Sequence, residues 1–410
     1  MSAPVVYLIS RYPSLSMAFI DREIAALRAR GRDVRTISVR PALVEDLRTP
    51  YAQQEAARTL TLLGGGLRAL LVTLTRFAVR HPVVLAAGLR TALRTGAPRA
   101  RNRLWQVFYL VEALVLVATM DDLGARHVHV HFANNAADIA RTAVRLGTHR
   151  DRGGWSWSFS MHGPTEFEDP VGFDLAAKVA SAYAVACITD FCRSQVMRWT
   201  GPELWPRLHL VRMSVDVDRY RVQERQRAPG EPLRVLFVGR LVPEKGPTVL
   251  LEAVRLLQDV PGQVPVQVQV VGTGPLAGEL ARTVARHGLG DRVELVGPLG
   301  QDELPERYGW ADVLCLPSFA EGLPVVLMEA LATGLPVVTT PIAGIGELVE
   351  DGRTGLLTAP GRSDLLAAAL TRLHRDPSLR EELGRNGRLR VEQSHLPGPN
   401  AHELDALLPG

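Results

Sequence analysis

Short valine-rich runs alternate with helix-length periodic segments along most of the chain, and this alternation constrains the fold more than any other feature. It marks parallel α/β layers. In the first half the predicted strands are Val5–Ile9, Val34–Val39, Val128–Phe132, Trp155–Ser160 and Val185–Thr189. In the second half they are Val235–Gly239, Val266–Val271, Val293–Val296, Val313–Pro317, Val337–Thr340 and Gly355–Leu357. Between the halves Asp216–Gly230 is polar and ends in Pro-Gly, the natural linker. The expected fold class is therefore α/β, with two doubly wound domains and a cleft where the carboxyl ends of both sheets meet.

Length and composition narrow this further. A chain of 410 residues with 46% hydrophobic and 22% charged residues is globular, not disordered. A net charge of +4 singles out no partner, but only Lys178 and Lys245 are lysines among 47 basic residues. The three cysteines, Cys187, Cys192 and Cys315, form no Cys-x-x-Cys pair and read as reduced thiols. The start, MSAPVVYLIS, has no basic region before an apolar core, so no signal peptide is expected. No charge-free apolar run reaches ~18 residues, which argues against a spanning helix. The expected location is cytoplasmic.

One segment breaks the rhythm. Ala56 to Val111 holds no acidic residue but nine arginines: Arg58, Arg68, Arg76, Arg80, Arg90, Arg94, Arg99, Arg101 and Arg103. A basic amphipathic stretch with aromatics suits an anionic bilayer on the inner membrane face. An ordinary helical layer, with arginines set by genome bias, fits equally well.

Two motifs carry chemistry. Pro317–Ala330 runs from a strand through a Ser/Gly loop into a helix starting near Pro324. The amides of Val325 and Val326 at that helix N-terminus would favour a phosphate. Glu321 and Glu329 flank them, and two such carboxylates could accept from the hexose and ribose hydroxyls of a nucleotide sugar. The bland alternative is a pair of glutamates beside a helix cap. The second motif, Val238–Gly246, puts Arg240 and Lys245 after a strand, as a fork and a point charge for a diphosphate.

Taken in order, Gly-Arg-Leu…Glu-Lys-Gly, Val271-Gly-Thr-Gly-Pro275 and Glu321…Glu329 resemble the donor domain of the retaining family 4 glycosyltransferases, of GT-B fold. The likeness spans residues 232 to 375. It implies that Arg240 and Lys245 bind the donor diphosphate, that Glu321 holds hexose hydroxyls and that Glu329 holds the ribose. Gly322, Leu323, Pro324, Val325 and Val326 would bind sugar and phosphate, Gly272 would line the donor site, and Gly297 to Leu299 would line the base. The implied domains are an acceptor-binding 1–212, a linker 213–231, a donor-binding 232–394 and a segment 395–410 packing back on the first domain.

The first half resembles the family more loosely. Ser158-Phe-Ser-Met-His-Gly163 ends a strand as members do, which implies that His162 touches the hexose beside the reacting carbon. After the first strand the chain reads Ile9-Ser-Arg-Tyr-Pro-Ser-Leu-Ser-Met-Ala-Phe-Ile20 and lacks a glycine-rich loop. That is nearest to a branch acting in surface polysaccharide assembly, although Met17-Ala18 replaces the usual Glu-Thr. Ser10, Arg11 and His131 are the acceptor-side candidates.

His127, His129 and His131 would share one face of a strand. They stand in a line with no acidic partner in the local sequence, so a metal is not expected; His131 is expected at the cleft mouth. Asp216-Val-Asp218 is a DxD in the linker, and Val271–Ala277 with Glu294 only mimics a dinucleotide fingerprint. The resemblance implies no metal and no cofactor beyond the nucleotide-sugar substrate, and no nucleic acid partner.

The expected activity moves a hexosyl group from a nucleoside diphosphate sugar, uridine being the commonest base, to a glycan, lipid-linked or small-molecule hydroxyl with retention. The setting would be polysaccharide, glycoconjugate or secondary-metabolite synthesis. A same-fold sugar-nucleotide 2-epimerase is the main alternative, and a non-catalytic membrane-bound scaffold the weaker one.

Overall fold

The computed structural model describes residues 3–14, 17–47, 49–92, 100–222, 230–259 and 264–409. The chain divides into two compact units, Met1–Arg212 with Gly398–Gly410, and Met213–Pro397.

The first unit is built on seven parallel strands: β1 Val5–Arg11, β2 Val34–Arg40, β3 Leu60–Thr61, β4 His127–His131, β5 Ser156–Met161, β6 Ala184–Cys187 and β7 Leu208–Leu210, in the order β3-β2-β1-β4-β5-β6-β7. The second has six: β8 Leu233–Val238, β9 Val266–Val271, β10 Val293–Gly297, β11 Val313–Leu316, β12 Val337–Thr339 and β13 Leu356–Leu357, in the order β10-β9-β8-β11-β12-β13. Helices cover both faces of such sheets, which is why strands such as β1 bury apolar residues without alternation. Each sheet reverses its winding beside its first strand, between β1 and β4 and between β8 and β11. Ligands of doubly wound sheets bind beyond the carboxyl ends at that reversal. Ser10, Arg11 and His131 occupy those ends in the first unit, and Arg240 and Glu321 follow them in the second.

The eleven strands expected from the sequence are present, each end within two residues of its expected place. The short edge strands β3 and β7 were not foreseen. Residues 213–222, read as part of a linker, are built into the second unit. Tyr220 is buried and its hydroxyl donates to Gln301 Oε1 at 3.1 Å. Asp216 Oδ1 accepts from the amides of Asp218 and Arg219. The tail returns to the first unit, where Ala401, Leu404 and Leu408 enter the core with Tyr7, Ile20 and Ile24. The amide of Asn400 donates to the Arg212 carbonyl at 2.8 Å.

Part of the acid-free stretch forms helices Gly66–Arg80 and Pro82–Ala92 and the start of Ala100–Asp122. Arg94 and Arg99 lie outside the described residues. The first two helices bend by 111° at their junction. Contrary to expectation, the segment Leu104–Asp122 is long and apolar enough to cross a membrane. Its apolarity has a packing explanation, because Leu110, Leu114, Val117 and Met120 are buried in the helical layer.

Candidate donor and sugar-contact sites

In the second unit the β8 and β11 loops are joined by backbone contacts. After β8, a single turn of 3-10 helix, Pro243–Lys245, ends at Gly246 with φ 64°. A Cβ there would run into the Pro317 carbonyl, so only glycine allows the loops to approach so closely. The Phe319 amide donates to the Glu244 carbonyl at 2.7 Å. This approach delivers Lys245 to Glu321: Nζ lies 2.6 and 2.7 Å from the two carboxylate oxygens. Ser318 Oγ donates to Oε1 of the same group at 2.7 Å. The Glu321 carboxylate, only 7% exposed, is thus neutralised and hydrogen-bonded.

Gly322, Leu323 and Pro324 lead into the helix Val325–Ala332, which has no side-chain cap. The first-turn amides of Val325 and Val326 therefore remain available for an anion. Four residues into the helix, Glu329 is buried and accepts from the buried Tyr308 hydroxyl at 2.9 Å. Arg240 is exposed at the end of β8. Gly272, with φ 142°, faces the Gly239 carbonyl so closely that a Cβ would collide with it. Gly297 has φ 87° at a bulge ending β10, and Leu299 follows it half-buried. Lys245 and Glu321 are brought into contact, and Gly272 is bonded to Gly297 through its amide at 2.8 Å. Tyr308 was not anticipated; a tyrosine inside a helix gives no local signal of a partner 21 residues away.

In the first unit His162 follows β5, 7% exposed, against the rings of Phe19 (4.8 Å between centroids) and Phe132 (4.6 Å). Burial, with His131 beside it, holds its imidazole well below the usual histidine range. His131 does not stand at an open mouth as expected. Its side chain is fully buried, with Nδ1 3.0 Å from His162 Nε2 and Nε2 3.1 Å from Glu23 Oε1. An acidic partner is thus present, because β4 pairs beside β1 and the helix Ala18–Ala29 folds over them. The histidine row continues as a ladder with β5. His129 lies 2.8 and 3.0 Å from the hydroxyls of Ser158 and Ser160, and His127 lies 2.8 Å from those of Ser156 and Ser158. Glu23, His129 and His131 could offer ligand atoms within 4.8 Å of one another. The nitrogens of His129 already face hydroxyls, and Nδ1 of His131 already faces His162.

Two further buried groups hold the turn after β4. Lys178 Nζ donates to the Ala133 carbonyl at 2.7 Å and pairs with Asp138 at 3.1 Å. Glu166 Oε1 accepts from the Ala133 amide at 3.1 Å. Together they clamp the peptide following Phe132, which sits at φ 68°. Burial lowers the Lys178 ammonium and raises the Asp138 and Glu166 carboxyls. Ser10 Oγ donates to Asn135 Oδ1 at 2.8 Å, and Arg11 is half-buried beside it.

Residues 218–390 match the Glycosyl transferases group 1 family. Among similar proteins, the amylovoran biosynthesis glycosyltransferase AmsK of Erwinia amylovora is 38% identical over 41% of this chain and 42% of its own length. The alpha-D-kanosaminyltransferase of Streptomyces kanamyceticus is 30% identical over 55% and 61%. These matches span about half the length of the relatives concerned. Over 98% of both chains, the structure of Anabaena Alr3699/HepE in complex with UDP superposes at TM-score 0.69 and 17% identity. A sucrose-phosphate synthase from Thermosynechococcus elongatus, also over 98% of both, reaches 0.72 and 20%. The fold is GT-B, and it is residues 218–390 that carry the match to the group 1 glycosyl transferases.

Proposed function

We propose that this protein transfers a hexosyl group from a nucleoside diphosphate sugar, with UDP as the carrier, to an acceptor hydroxyl with retention of anomeric configuration. The observation that carries the reading is the Lys245–Glu321 pair, held just before the uncapped N-terminus of Val325–Ala332. A diphosphate at that terminus would meet the helix amides and the Lys245 ammonium together, with the exposed Arg240 as a second cation. These groups stabilise the charge that grows on the leaving phosphate, so no metal is required. Glu321 would then take hexose hydroxyls and Glu329 the ribose. No pair of carboxylates is invoked for a covalent intermediate; the leaving phosphate takes the proton of a hydroxyl attacking from the same face. His162 would meet the hexose.

The acceptor class follows from the helices of the acid-free stretch. Leu71, Val72, Val79 and Val83 are exposed, the last two at 75% and 72%, and Arg68, Arg76 and Arg80 are exposed on the same helical pair. Trp105 and Phe108 add exposed aromatics. Apolar and cationic side chains exposed together suit the cytoplasmic surface of an anionic bilayer, and hence a lipid-linked glycan acceptor. The transfer reading is tested by incubating the protein with UDP-hexoses and a lipid-linked acceptor. Product with the anomeric configuration of the donor, formed in the presence of a chelator, supports it; inverted product or a strict metal requirement contradicts it.

A further inference from the structure

The chain Glu23–His131–His162 in the first unit specifies where protons sit. Glu23 Oε1 accepts from the Tyr7 hydroxyl at 2.8 Å and lies 3.1 Å from Nε2 of His131. No hydrogen bond forms at this second contact, but the carboxylate charge beside the buried Nε2 is decisive. A nitrogen lone pair held that close to a carboxylate oxygen in a buried site would be repelled, whereas an N–H is attracted. The His131 proton therefore belongs on Nε2. That leaves Nδ1 of His131 as an acceptor, and the atom facing it at 3.0 Å is Nε2 of His162. His162, kept neutral by burial, must place its single ring proton there.

We propose that Glu23 and His131 are positioning residues that hold His162 in the Nε2-protonated tautomer, so that its Nδ1 acts as a hydrogen-bond acceptor for a substrate hydroxyl. The assignment rests on the reading of His162 as the group that meets the hexose. The surroundings support a fixed ring. Phe19 and Phe132 both pack on it, and Phe132 is itself set by the Lys178 and Glu166 clamp on Ala133. Neighbouring His129 is satisfied by Ser158 and Ser160, so it offers no rival proton to His131. Orienting a ring through its second nitrogen is the general means by which a buried carboxylate fixes an imidazole.

The test is ring nitrogen-15 NMR of the histidines together with turnover. In the wild-type protein His162 should be Nε2-protonated; an Nδ1-protonated ring overturns the proposal whatever the variants do. In Glu23→Leu the His162 signals should move toward a mixture of tautomers. Its kcat should fall about tenfold to a hundredfold with little change in KM, the range seen when an orienting partner is lost. Tyr7→Phe, which keeps the carboxylate beside His131, should leave the tautomer in place. Loss of turnover in His162→Ala, with wild-type ring signals and turnover in Glu23→Leu, overturns the relay alone. Full turnover in His162→Ala overturns the reading of His162 and the assignment with it.

Discussion

The ammonium of Lys245 lies 2.6 and 2.7 Å from the two carboxylate oxygens of Glu321, although 76 residues separate them in sequence. Each group satisfies the other: the lysine neutralises a nearly buried carboxylate, and the carboxylate fixes the lysine beside an uncapped helix N-terminus. Lys245→Ala should therefore do two things. Turnover should fall by about 2–4 kcal/mol of transition-state stabilisation if one donor to a developing oxyanion is lost. Stability should also fall, by about 1–3 kcal/mol, because Glu321 is left with a buried charge. Adding Glu321→Gln to Lys245→Ala should recover part of that stability. Thermal unfolding of the four proteins of the cycle checks this, and strictly additive losses would show that the pair is not coupled.

The two glutamates should separate by ligand. Glu329→Gln should weaken the free nucleoside diphosphate and the intact donor alike, since both carry the ribose. Glu321→Gln should spare the nucleoside diphosphate and weaken the donor. Tyr308→Phe, which strips the 2.9 Å hydrogen bond from Glu329, should follow the Glu329 pattern more mildly. Calorimetric titration decides, and equal losses on both ligands for both glutamates contradict the division.

The histidine ladder makes stability depend on pH. Burial pushes His127 down to about 3, and burial with neighbouring imidazoles holds His129 well below the ordinary value. The unfolded chain takes up protons near pH 6.5 where the folded ladder does not. Stability supplied by these neutral rings is intact above about pH 6.5. It is lost as pH falls toward the folded values, by up to about 1.4 kcal/mol per pH unit for each ring. Asp21 works in the opposite sense, because burial raises it to about 6 and its folded form holds a proton that the unfolded form releases. A difference between proteins isolates the ladder. His127→Gln should flatten the loss of denaturation free energy between pH 6 and 4 by about 1.4 kcal/mol per unit, and an unchanged slope would contradict the assignment.

Lys178 is buried against Asp138 at 3.1 Å and anchors the Ala133 carbonyl. Lys178→Met should cost on the order of 3–5 kcal/mol, because the buried carboxylate is left with only Arg141 at 3.4 Å and the Ala133 carbonyl loses its donor. Urea denaturation would show it, and a loss under about 1 kcal/mol would mean that Arg141 alone suffices for Asp138.

If the exposed face of Gly66–Arg80 and Pro82–Ala92 docks on anionic lipid, each arginine near the surface should add ~1 kcal/mol, decaying over ~8 Å at physiological salt. Cosedimentation with phosphatidylglycerol vesicles should fall steeply with salt, and Arg68, Arg76 and Arg80 changed together to Gln should abolish most of it. Protein left in solution at low salt with excess vesicles contradicts docking.

The sheets were legible in the sequence because parallel strands buried on both faces are continuous apolar runs, as β1 and β11 are. The edge pieces β3 and β7 were not, being two and three residues long. Lys245 and Glu321 could each be singled out by motif, but their contact depends on Gly246 packing against Pro317, which no local pattern records. The Glu23–His131 contact was hidden for a topological reason. Residues 108 apart in number meet only because β4 inserts beside β1. Lys178 stood out as a lysine among arginines, yet its role depended on a turn that only the fold reveals.

Saturation-transfer NMR with a panel of nucleotide sugars, on the wild-type protein and on Glu321→Gln, tests the central claim most directly. The account predicts that one nucleoside diphosphate hexose shows saturation on base, ribose and hexose protons of the wild type, and that Glu321→Gln loses the hexose signals while base and ribose persist. Absence of saturation from every nucleotide sugar, or an identical pattern in the two proteins, would contradict it.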